Sequence, residues 1–141
     1  MEVLQRLTRR QLDTLRTISA HETPERGVPL KAVASALGLA APSALGHITP
    51  LEALGLIERY RGKSRLTRKG EVCLDEYTRH HRIAESLFHR TGLSMQESCR
   101  AAREVDLALS HAAVERLCQA EGHPTACPHG APIAPCEATR A

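Results

Sequence analysis

Aromatic residues are nearly absent: the 141-residue chain holds one Phe, two Tyr and no Trp. Sheet sandwiches draw on such residues for their faces, so the shortage favours a core of Leu, Ala, Val and Ile packed between helices. Long apolar runs are missing as well. None approaches the roughly 20 residues that span a bilayer, and the first residues hold no signal-peptide-like apolar block. A cytoplasmic protein without a membrane partner is expected. No phosphate-binding loop and no nucleophile–base pairing is visible, so an enzyme is not expected. Cysteine is present in an odd number, at positions 73, 99, 118, 127 and 136. In a reducing compartment these read as thiols or metal ligands, not as a disulfide frame.

The net charge of +3 hides an asymmetry. Residues 1–73 carry twelve Lys and Arg against seven Asp and Glu, whereas residues 74–141 carry seven against nine. An anionic partner should therefore meet the first half only. The basic residues concentrate in Ile57–Gly70, IERYRGKSRLTRKG, which alternates in period two and suggests a hairpin turning at Gly62-Lys63. A small basic hairpin suits a phosphate backbone.

Helical patterns surround this hairpin. Thr8-Arg9-Arg10-Gln11 has capping-box form and predicts a first helix over Arg9 to about Ala20. Leu30–Leu37 reads as a second helix closed by Gly38, and Ala41 to about Leu54 as a third, with Pro50 predicting a kink or early end. Thr67 should cap a long helix ending at Thr91-Gly92. Ser94 should cap a fifth helix to about Leu109, and Ser110 a sixth ending at Glu121-Gly122. The rest is Pro-rich and irregular. The fold class is thus mostly α with a small β-hairpin wing, and a helix-turn-helix followed by a basic wing is a DNA-binding constellation. On the third helix Ser43, Ala44, Gly46 and His47 are the expected DNA contacts, and on the wing Arg59, Arg61, Lys63 and Arg65. The helix is poor in Arg, Asn and Gln, so affinity should lean on the wing and on DNA shape.

His81 and Glu85 stand at i and i+4 on one helical face, where two side chains can share an ion. Cys99, Arg103 and Asp106 share a face of the next helix. His80 and His89 read as surface residues, and Cys73 as a small buried one. Cys118, Cys127 and Cys136 are spaced nine apart. With Cys99 they could hold an iron–sulfur cluster, and three thiols with a histidine could hold zinc. A thiol redox switch is a further reading.

QLDTLRTI, ALGLAAPSALGHITPLEALGLIE, LTRKGE, RHHRIAE and GHPTACPHGAPI together resemble the iron- and manganese-dependent repressors of the diphtheria toxin repressor (DtxR/MntR) family. The resemblance implies a winged helix-turn-helix over 1–73, a helical metal-binding and dimerisation domain over 74–122, and a Cys/Pro-rich tail over 123–141, the short two-domain form. It implies a homodimer on a double-stranded DNA operator, acting as a repressor. The implied cofactor is Fe(II) or Mn(II), held by Asp13, His81, Glu85, Cys99 and Asp106. Three positions depart from the family pattern: Leu107, Arg103 and Arg16 stand where donors are usual, and neither side-chain type ligates a cation. The same regulator sensing through a cluster or a thiol, and a winged-helix protein-interaction module, are the alternatives.

Overall fold

Thr8 starts the first helix. In the computed structural model, which describes residues 2–136, its hydroxyl accepts from the Gln11 amide at 3.1 Å while its own amide donates to the Gln11 side chain at 2.9 Å. Two amides that the helix start would leave orphaned are thereby satisfied. Helix α1 runs Arg9–His21 and buries Leu12, Leu15 and Ile18 along one face. Helix α2, Leu30–Leu37, ends on Gly38 in the left-handed conformation at φ 66°. Helix α3, Ala41–Ala53, follows after a bend of 106°, the geometry of a helix-turn-helix. Leu12, Leu15, Ile18, Val33, Ile48 and Leu51 are fully buried in this unit, and each such side chain stabilises it by about 1.5–3 kcal/mol.

The early end that Pro50 could have imposed does not occur, for α3 continues to Ala53. The carbonyl that loses its partner belongs to Gly46, an exposed residue, so water can satisfy it. The hairpin is β2, Ile57–Tyr60, and β3, Lys63–Leu66. Its turn is Arg61-Gly62, one residue earlier than expected, with φ 51° and 75°. Two successive positive φ values match the twist of a tight hairpin. A third strand, β1, Val28–Pro29, pairs with β3 and gives the order β1-β3-β2. Two residues carry no period-two signal, and Pro29 is tolerated there because β1 is an edge.

Helix α4 is continuous over Arg68–Arg90. Its start is clamped to the end of α3. The Thr67 hydroxyl donates to the Gly55 carbonyl at 2.6 Å and accepts from the Gly70 amide at 3.1 Å, and Lys69 Nζ donates to the Leu54 carbonyl at 2.9 Å. A side chain at Gly70 would place Cβ 2.0 Å from the Leu56 carbonyl oxygen, so only glycine fits.

The chain forms two units, residues 6–75 and residues 2–5 with 76–136. In the second, α5 (Met95–Val105) begins with a capping box between Ser94 and Glu97. That contact holds the Glu97 carboxyl below its ordinary range. The helix ends four residues before the expected Leu109, because the chain turns through Asp106 to Ala108. Helix α6, His111–Ala120, is capped by Ser110. The segment expected to be irregular instead folds back on itself: the Ile133 amide bonds to the Thr125 carbonyl and the Cys127 amide to the Ala131 carbonyl, both at 2.9 Å. Cys127, Ile133 and Cys136 pack with Ile83, Val114 and Cys118 in one apolar cluster. Of the expected tail, residues 137–141 lie outside the described residues. Among the described residues no single helix is long and apolar enough to cross a membrane.

Candidate functional site

Helices α4 and α5 place one imidazole between two buried carboxylates. His81 Nε2 lies 3.0 Å from Glu85 Oε2, and its Nδ1 lies 2.9 Å from Asp106 Oδ2. Glu85 is 2% exposed and Asp106 fully buried. Burying carboxylates is costly unless each finds hydrogen-bonding or cationic partners. Cys99 Sγ approaches the same Nε2 at 3.6 Å. The donor atoms of His81, Glu85 and Cys99 therefore gather within 4.8 Å of one another, while Asp106 holds the opposite ring nitrogen. The sequence reading grouped Asp106 with the ligands. Its carboxylate meets Nδ1, the ring nitrogen opposite the one that faces Glu85 and Cys99.

Glu85 also belongs to a second group. Its Oε1 lies 2.5 Å from His129 Nδ1, and Glu85, Cys127 and His129 again gather within 4.8 Å. His129 and its contact with Glu85 were not anticipated. They join residues 44 apart in sequence, beyond any periodicity, although the tail's Cys-Pro-His pattern was a visible hint. Cys118 and Cys136 form a third group around His123. The cysteines expected to share an iron–sulfur cluster are thus divided: Cys99 with His81, Cys127 with His129, and Cys118 with Cys136. A cluster needs four thiolates around one core. Among the described residues no group around a single point holds more than two thiols.

His80 is a correction of another kind. It is fully buried, not on the surface, and pairs with Glu76 and stacks on His111. Burial, with His111 and Arg79 nearby, pushes its pKa down to about 4, so the ring is neutral at physiological pH. His89 is exposed and Cys73 buried, in line with their reading.

The first unit presents the expected basic surface. A groove of about 570 Å³ on the wing is lined by Arg26, Arg59, Arg61, Lys63 and Arg65, with Glu25, Glu58 and Tyr60 beside them. Tyr60 is 71% exposed and carries the Arg61 guanidinium 5.2 Å above its ring. Neither Arg26 nor Tyr60 was anticipated, since their part in the groove depends on how the strands pair. On α3, Ser43 and Gly46 are exposed and His47 is half-buried. Ala44 is fully buried and cannot touch DNA; it faces the core beside Ile48, one turn on.

Residues 67–135 match the family described as iron dependent repressor, metal binding and dimerisation domain. That segment belongs to the DtxR/MntR-type regulators. The metal-dependent transcriptional regulator MtsR is 27% identical, with a TM-score of 0.71 over 89% of this chain and 59% of its own. A manganese-dependent transcriptional repressor solved with manganese is 28% identical, with a TM-score of 0.68 over 88% of this chain and 57% of its own. This chain therefore spans less than three fifths of the length of either regulator. The hypothetical protein SSo2273 from Sulfolobus solfataricus is 26% identical and matches end to end, with a TM-score of 0.85 over 91% of this chain and 99% of that one. No curated protein matches in sequence. Set among the DtxR/MntR-type regulators, the two groups that share Glu85 lie inside the matched metal-binding segment. Asp13, the donor that the resemblance implied, lies half-buried on α1 in the other unit.

Proposed function

We propose that the chain is a DNA-binding transcriptional repressor whose affinity for its operator rises with a divalent metal. His81, Glu85 and Cys99 would hold the ion, with Glu85, Cys127 and His129 offering a second position. The observation that carries this reading is the single buried Glu85 carboxylate, with one oxygen toward each group. The donor set of imidazole, carboxylate and thiolate fits Fe(II) or Mn(II), and a thiolate in each group favours the softer Fe(II). The ion would add positive charge beside the Glu85 carboxylate, which lies between His81 and His129. Asp106 fixes the His81 tautomer, and the apolar cluster around Ile83 and Ile133 excludes water. By tying α4, α5 and the 127–129 loop together, occupancy favours the DNA-competent form by the difference in metal affinity between forms. The dimer presents two winged units to two half-sites, with wing cations on phosphates and Ser43 and His47 at the major groove.

The test is anaerobic DNA binding across a salt series, with and without Fe(II) or Mn(II). Metal should tighten binding, and Glu85→Gln should abolish that gain while leaving the salt-dependent binding. Arg61→Ala with Lys63→Ala should flatten the salt slope by about one unit per lost phosphate contact. If no salt-dependent DNA binding occurs in any metal state, the winged unit is a protein-interaction module instead. Light scattering that returns a monomer at micromolar concentration would remove the dimer.

A further inference from the structure

Cys118 on α6, His123 in the turn after it, and Cys136 at the end of the described chain converge on one point. Cys118 Sγ lies 3.5 Å and Cys136 Sγ 3.2 Å from the same atom, His123 Nδ1, and all three donors lie within 4.8 Å of one another. The two thiols also bond to each other. An imidazole nitrogen has one in-plane lone pair or one N–H, so it serves one thiol well and not both. A central cation uses all three donors at once. Around a tetrahedral zinc ion, with sulfur at about 2.3 Å and nitrogen at about 2.0 Å, neighbouring S and N donors sit about 3.5 Å apart. The distances here are those of such an edge.

The surroundings agree. Cys118 and Cys136 are each 2% exposed, in a cluster with Ile83, Val114 and Ile133. Two thiolates and a neutral imidazole carry two negative charges, so a divalent ion makes the assembly neutral. A neutral assembly is one that an apolar shell accepts. The backbone also adopts an unusual conformation to bring the ring there: His123 has φ 55°, in the left-handed region that a non-glycine residue enters at a cost, and its amide is held by the Cys118 carbonyl at 2.8 Å.

We infer that Cys118, His123 and Cys136 supply three ligands of a structural Zn(II) site, the fourth position being open to water beside the partly exposed His123, and that this site is separate from the two groups that share Glu85. Its role is to staple residues 123–136 to α6. That segment carries Cys127 and His129, so the staple positions one arm of the regulatory centre. The inference rests on the proposed function only for that last consequence; zinc binding itself is independent of it.

The full chain, purified reduced, should hold one zinc per chain by elemental analysis that survives dialysis against a weak chelator. Cys118→Ser and Cys136→Ser should each lose that equivalent. His81→Ala and Cys127→Ser should keep it, even where they abolish a response to Fe(II) or Mn(II). Cobalt(II) exchanged into the Cys127→Ser protein should give thiolate charge-transfer absorption and the intense bands of a tetrahedral ion. Should the Cys118 and Cys136 variants fail to fold, alkylation of the unaltered protein decides: zinc should shield Cys118 and Cys136, with Cys73 as the buried thiol that zinc does not touch. Equal alkylation with and without zinc would overturn the site, as would zinc stoichiometry unchanged in both serine variants. A Cys118–Cys136 disulfide that, once reduced, takes up no metal would replace it with a redox pair.

Discussion

The two units solve the problem of a buried core differently. In residues 6–75 the buried side chains are hydrocarbon apart from the Cys73 thiol and the Thr14 and Ser64 hydroxyls, and Thr14 donates to the Arg10 carbonyl at 2.7 Å. In residues 76–136 Arg79, His80, Glu85, Ser98 and Asp106 are buried, with three cysteines beside them. Arg79 is matched by Glu115 at 2.8 Å, while Glu85 lies between His81 and His129 and Asp106 meets the other nitrogen of His81. A hydrocarbon core gains stability simply by leaving water. A core of carboxylates and thiols gains more when an ion completes the charge balance. On the proposed function, the first unit is a fixed tool and the second a part whose rigidity depends on what is dissolved around it.

The largest test of this contrast is Ile48→Ala. It should destabilise the winged unit by about 2–5 kcal/mol. Hydrogen exchange should show the loss over α1 to α3, with protection in residues 90–136 and the metal response retained. Uniform loss over the whole chain would merge the two units into one cooperative block. Chelation should do the reverse. At a free metal concentration 100-fold above the dissociation constant, removal costs about 2.7 kcal/mol, read as faster exchange in α5, α6 and the 123–136 segment while α1 to α3 are unmoved. Exchange that quickens in α1 to α3 as well would show that the first unit also depends on the ion.

Asp106→Asn sharpens the comparison within the second unit. If Asp106 acts through His81, metal affinity should fall by about 10- to 100-fold while metal stoichiometry is unchanged. Loss of a full equivalent would make Asp106 a ligand. The smallest expected effect is at Gly46. It lies inside α3 with ordinary backbone, and a Cβ there would meet nothing within 4 Å. The fold does not need this glycine, so Gly46→Ala should stabilise the winged unit by about 0.5–1 kcal/mol. A matching loss of DNA affinity would show that its bareness serves close approach of the helix to DNA. Unchanged affinity would take α3 at this point off the interface.

The features legible in the sequence are those whose cause lies within four residues. Thr8 with Gln11, Ser94 with Glu97, the stop at Gly38 and the alternation of the wing are local bargains between a side chain and nearby backbone. The pair His81 and Glu85 was legible for the same reason, one helical turn separating them. Strand β1, the burial of Ala44 and His80, and the split of the cysteines into three places were not. Each is decided by what packs opposite, and helical spacing states which residues share a face without stating which face turns inward. Asp106 shows the boundary well: its presence near His81 was expected, but which ring nitrogen it meets depends on where α5 ends.

Gly70 has an implication for how this protein tolerates change. Its Cβ would strike a backbone carbonyl at 2.0 Å, and backbone cannot step aside as a flexible side chain can. The site admits no conservative replacement, since even the smallest side chain carries the offending carbon. Residues a few positions away, such as Arg68 and Val72, face solvent and accept most substitutions. Random mutation along this stretch would thus leave a complete gap at one codon, where its neighbours tolerate at least some change. That gap marks where the wing's root and α4 touch without any side chain between them.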